Sequence, residues 1–103
     1  MNKMELPYYA VIFTSKRTDI DENYSDMATK MLELAQQQPG FLGVESARSE
    51  IGITVSYWKS LEAIKKWKQN LDHLDAQHKG IQKWYERYTV RIAKVEREYS
   101  FNK

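Results

Sequence analysis

The chain has 103 residues, enough for one domain with a single core (about residues 8–99) and too few for two. Its 16 Lys and Arg against 14 Asp and Glu leave a formal charge of +2, and its 42% hydrophobic and 29% charged residues are those of an ordinary globular domain, which excludes a disordered tail. With no cysteine a disulfide scaffold and a thiolate metal site are excluded, and no apolar run reaches the ~20 residues a membrane-spanning helix needs. Met1–Pro7 lacks the apolar core of a signal peptide, so the expected compartment is the cytoplasm.

Tyr8–Ser15 is β-branched and aromatic without a breaker and predicts a strand. A polar loop follows, and Asp21 or Asn23 is placed to cap a helix over about 23–37. In that helix Tyr24, Met27, Ala28, Met31, Leu34 and Ala35 form one apolar face, and Pro39-Gly40 stops it. Phe41–Arg48 and Ile53–Trp58 read as strands of an antiparallel hairpin, with Gly52 in the turn free to take positive φ. Ser60 caps a second helix whose inner face carries Leu61, Ile64, Trp67 and Leu71. A break is expected near Asn70–His73, then a second helical piece to about Tyr85. Tyr88–Tyr99 is the last strand, and a bulge near Ala93 would return its apolar positions to one face.

Charge is divided along this order. Residues 1–58 hold 5 basic and 8 acidic residues, and residues 59–103 hold 11 and 6. The lysines of the second half alternate with Asp and Glu as on a solvated helix face, and no RNP-like aromatic strand or basic glycine-rich loop is present, so nucleic acid is not an expected partner.

The order β-α-β-β-α-β is the ferredoxin-like plan, an α+β fold with both helices on one face of a four-stranded antiparallel sheet. The other face needs a cover. The expected patch contains Tyr9, Val11, Phe13, Val55, Tyr57, Val90 and Ile92, more apolar surface than a monomer tolerates. Two copies packed sheet to sheet would bury it, so a homodimer is expected.

Gln38-Pro39-Gly40-Phe41-Leu42-Gly43 entering the second strand, Tyr57-Trp58-Lys59-Ser60 entering the second helix, and Ala63-Ile64 with Trp67 on that helix resemble the antibiotic biosynthesis monooxygenase (ABM) family. The resemblance runs from about Tyr9 to Val95. It implies a dimeric α+β barrel whose last strand reaches onto the partner sheet, with a pocket between sheet and helices in each protomer. Some members of the family oxidise aromatic polyketides with dioxygen and neither metal nor flavin. Others bind and degrade haem. The expected function is therefore cofactor-independent monooxygenation of a small aromatic or quinone-like substrate. The alternatives are a haem-binding or haem-degrading protein and a non-catalytic small-ligand-binding stress protein.

With two histidines in the whole chain, any chemistry rests on few ionisable groups. His73, at the expected helix break, is a candidate general base. His78 is a second candidate base, or the iron ligand in the haem alternative that the resemblance suggests. Against haem degradation, Val11-Ile12-Phe13-Thr14 lacks the asparagine that branch carries, and the Trp67-to-His78 spacing is one residue long for it. Tyr85 and Arg91 are candidates for the developing oxyanion. Phe13, Tyr57 and Trp67 are the expected aromatic walls, while Trp84, off the apolar stripe, is expected to cover the partner chain. Asp72, His73 and Asp75 do not make a metal motif without a further ligand, so no metal is expected. Neither a Ser-His-Asp set nor a phosphate-binding glycine motif occurs.

Overall fold

A computed structural model of the chain describes residues 4–78 and 81–103, the side chains of residues 75–78, 81 and 82 excepted. The elements are β1 (Tyr8–Arg17), α1 (Tyr24–Gln36), β2 (Phe41–Arg48), β3 (Gly52–Trp58), α2 (Leu61–His78), a short 3-10 helix (Ile81–Trp84) and β4 (Tyr85–Val95). All pairings are antiparallel and the sheet order is β2-β3-β1-β4, which is the ferredoxin-like arrangement. Val11 of β1 and Trp58 of β3 pack against Ala35 of α1 and against Ala63 and Ile64 of α2, so both helices cover the same face. Trp58, wholly buried, is the centre of this core.

Strand register assigns every side chain to a face, because directly paired residues point the same way. Val11 pairs with Ser56 and Ile92, and Phe13 with Thr54 and Val90. Tyr9, Val11, Phe13, Val90 and Ile92 therefore lie on the helix side, which corrects their assignment to the helix-free patch. Val55 and Tyr57 do lie on the helix-free face, with Ala10, Ile12, Ile53, Arg91 and Ala93.

α2 runs unbroken from Leu61 to His78, against the expected break at residues 70–73. The polar stretch there is a solvent face and not a breaker. The Asn70 amide donates to the Lys66 carbonyl one turn back (3.1 Å), and Lys68 pairs with Asp72. The second helical piece is only the 3-10 helix Ile81–Trp84. Ser60 caps α2 as expected, its Oγ accepting the Ala63 N–H at 3.1 Å. Asn23 stands at the start of α1 with a left-handed backbone (φ 61°) and makes no side-chain cap bond, a conformation asparagine tolerates better than most residues.

The bulge is not at Ala93, which pairs in register with Ala10. β4 ends at Val95, short of the expected Tyr99, so its last apolar positions need not return to one face. The register shifts instead at the other end. Arg17 pairs with Tyr85 and Lys16 with Arg87, leaving Glu86 as the extra residue. Beyond β4 the chain has no regular structure. The Tyr8 hydroxyl donates to Glu98, which pushes the phenol up to about 12, while Tyr99 and Phe101 stay 85% and 83% exposed.

Gly40 joins α1 to β2 at φ +89°, and a Cβ there would lie 2.8 Å from Ala63 Cβ. Both strain and overlap oppose a side chain. Gly40→Ala is expected to cost about 2–4 kcal/mol, measured by urea denaturation; a loss under about 0.5 kcal/mol would contradict this contact.

Candidate functional site

The helix side of the sheet carries two linked groups of chemistry-bearing side chains. The first surrounds Trp58. Its indole N–H donates to Ser56 Oγ (2.8 Å), Phe41 meets it edge-on (5.4 Å between centroids), and Trp67 of α2 stacks on it (4.8 Å, 28°). Trp67 is half-buried, and its Nε1 is sequestered from water without an acceptor among the described residues. An unmet buried donor costs about 1–3 kcal/mol, so this N–H is a standing attraction for an oxygen acceptor.

The second group lies four residues along β1, ~13 Å away at the usual strand rise. Phe13 stacks with Tyr88 and meets Tyr85 edge-on, both at 5.4 Å. Tyr85 and Tyr88 are three residues apart and would face opposite ways in a regular strand. The bulge at Glu86 turns both toward Phe13, the re-aiming that such irregularities produce. Tyr24 of α1 completes the box 6.2 Å from Tyr85. Burial, and secondarily a hydrogen bond with Tyr24, raise the Tyr85 phenol well above its ordinary range, against the opposing pull of Arg48 and Arg17. Tyr85 is therefore a protonated donor at neutral pH.

Arg17 lies with Cζ 3.4 Å over the Tyr24 ring and donates through Nη2 to Ile20 O and Asp21 Oδ1 (both 2.9 Å). Its Nε is a second buried donor with no acceptor among the described residues. Arg48, the last residue of β2, donates through Nη2 to the buried Ser15 Oγ at 2.6 Å.

Of the residues expected from sequence, Phe13, Trp67 and Tyr85 are brought to this interlayer region. Tyr57 is not. It lies on the helix-free face, donates to Glu45 (2.8 Å) and is raised in pKa mainly by that bond. Arg91 pairs with Ile12 and is exposed on the helix-free face too. His73 is exposed on α2, and the side chain of His78 lies outside the described residues. Trp84 does not cover a partner from an exposed position. It is 2% exposed within its own chain, its indole N–H donating to the Glu22 carbonyl (2.8 Å). A surface groove of about 240 Å³ runs along Asn23, Asp26, Met27, Lys30, Lys83 and Trp84 and holds none of Phe13, Tyr57, Trp67, Tyr85 or Arg91. Among the described residues no three His, Asp or Glu side chains gather as metal ligands, and no helix is long and apolar enough to cross a membrane.

Sequence reasoning missed Ser15, Tyr24, Arg48 and Ser56. Arg48 was open to discovery: it continues the alternation of Val44 and Ser46 along one face of β2. Ser15 and Ser56 carry no signal, because a buried serine in a strand cannot be told from an exposed one without the register.

The chain matches the family model "Antibiotic biosynthesis monooxygenase" over residues 7–79. It is 52% identical over 99 residues to the uncharacterised protein YqjZ of Bacillus subtilis (strain 168), covering 94% of this chain and 87% of that protein. Its fold resembles that of a conserved protein from Methanosarcina mazei Go1 (TM-score 0.70, 10% identity, 90% of this chain and 95% of the other). SnoaB, a cofactor-independent oxygenase from Streptomyces nogalater, is similarly close (TM-score 0.66, 10% identity, 94% and 99%). With the family model spanning most of the chain and the ferredoxin-like sheet beneath it, this protein belongs to the antibiotic biosynthesis monooxygenase family.

Proposed function

We propose that this chain is a monooxygenase that needs no cofactor, acting on a small phenolic or quinone-forming aromatic held between sheet and helices. The observation that carries the reading is the Trp67 indole N–H, buried beside the Trp58 ring with no acceptor among the described residues. Family membership and the likeness in fold to a cofactor-independent oxygenase support it.

The substrate supplies all the electrons. A phenolate passes one electron to dioxygen. The aryloxyl radical and superoxide then join at the ring carbon para to the oxygen, forming a C–O bond. The peroxide loses water as that carbon gives up its proton, leaving a quinone. One phenol and one dioxygen thus become one quinone and one water, the phenol having lost four electrons. In this scheme the protein excludes water and holds the ring beside Trp67, whose N–H stabilises the phenolate oxygen. Oxygen uptake with a panel of phenols and naphthols unsubstituted at the para carbon tests this. Uptake above buffer, with quinone formed in equal amount, is expected; rates equal to buffer for every compound would overturn it.

The proposal includes a homodimer, in which the helix-free face meets that of a second copy. Ile53 is 46% exposed on that face, and the aromatic side chains of Tyr99 and Phe101 beyond β4 are uncovered by their own chain. Light scattering is expected to give twice the 12.2 kDa chain mass, and a monomer would contradict it.

A further inference from the structure

Resting on the substrate reading above, we propose that Arg48 is a specificity-determining residue that binds the carboxylate of an aromatic hydroxy acid. Three observations converge on it.

The first is its path. Arg48 is an exposed residue whose side chain nonetheless lies along the sheet. Its guanidinium folds back over β3 at Gly52, the residue paired with both Arg48 and Ser15. A Cβ at position 52 would overlap Cζ and Nη2 and lie 2.7 Å from Nε. Gly52 does not take positive φ; among the described glycines only Gly40 does. A side chain at 52 would push aside the guanidinium, the far end of a flexible residue, so the glycine leaves open the space that the guanidinium fills.

The second is what the guanidinium leaves unused. Among the described residues it makes one hydrogen bond, from Nη2 to Ser15 Oγ, and Ser15 is 2% exposed. Among the described residues Arg48 has no ion-pair partner, whereas Arg17 beside the same tyrosines is held by Asp21 and the Ile20 carbonyl. A guanidinium offers five donors in a planar fork, which matches a carboxylate bidentately. Ser15 fixes one corner and orients the remainder.

The third is the neighbourhood. Ser15, which holds the guanidinium, pairs with Tyr88 of β4, and Tyr88 belongs to the aromatic box of Phe13, Tyr24 and Tyr85. A cation at the edge of aromatic faces selects a ligand that is flat, apolar in its body and anionic at one end.

The test is calorimetric titration with 1-hydroxy-2-naphthoate and with 1-naphthol. The wild-type protein is expected to bind the acid about 10- to 100-fold more tightly than the naphthol. Arg48→Met removes that preference by weakening the acid alone, and Arg48→Lys restores part of it. Gly52→Ala displaces the guanidinium without removing it, and also loses the preference while keeping naphthol affinity. A merely structural arginine would weaken both ligands equally. Equal affinity in the wild type, a preference that survives Arg48→Met, or no binding of either compound overturns the proposal. Binding is read without turnover, so the two proposals fail separately. Preferred binding of the acid with no oxidation refutes only the monooxygenase reading. Oxidation with no preference refutes only the role of Arg48.

Discussion

Trp67→Phe is expected to lower oxygen-dependent turnover by about 10²- to 10³-fold, the usual cost of removing one donor from a developing oxyanion. Phenylalanine keeps an aromatic face against Trp58, so the wall of the site persists while the N–H is gone. The effect falls on kcat more than on KM, because the donor gains most as the phenol gives up its proton and charge develops on its oxygen. Stability changes by less than about 1 kcal/mol, since lost contact area is offset by removal of an unmet buried donor. Steady-state oxygen consumption beside a denaturation curve separates the two effects. An unchanged kcat would mean the indole N–H plays no part in the reaction.

Trp58→Ala is expected to produce the largest loss of stability, about 3–5 kcal/mol, against a typical total of about 5–15 kcal/mol. Trp58 is wholly buried and joins β3 to both the Phe41 end of β2 and the Trp67 face of α2. Its removal also leaves Ser56 Oγ without the indole donor. Urea unfolding measures the cost. A loss below about 1.5 kcal/mol would show that the core is not centred on this side chain.

The order of elements was legible because each announces itself locally. Tyr8–Ser15 has no breaker, Pro39-Gly40 ends α1, and Ser60 starts α2. Faces were not legible, because a strand's period of two is silent about which set looks at the helices. Tyr9, Val11 and Phe13 were put on the wrong side of the sheet, and only the pairing of Val11 with Ser56 decides it. Polar Asn70–His73 resembled a break because composition alone does not distinguish a loop from the wet side of a helix. The i,i+4 contacts of Asn70 and Lys68 supply the difference.

The site was legible in part for a related reason. Trp67 and Phe13 follow from periodicity. Tyr85 reaches the region through a device that periodicity does not show, the bulge that β4 makes opposite Arg17. Arg91 and Tyr57 have suitable chemistry on the wrong face. The chain has only two histidines, but scarcity does not place a side chain, and His73 is exposed. The polar groups that do converge, Ser15 and Arg48, depend on a register between three strands and on the missing side chain of Gly52.

Turnover of 1-naphthol under ¹⁸O-labelled dioxygen, with chelator-treated protein and no added cofactor, tests the central claim most directly. The account predicts one labelled oxygen atom in the quinone product and the other in water, with one dioxygen consumed for each quinone. Unlabelled product, or no product above the buffer control, would contradict it.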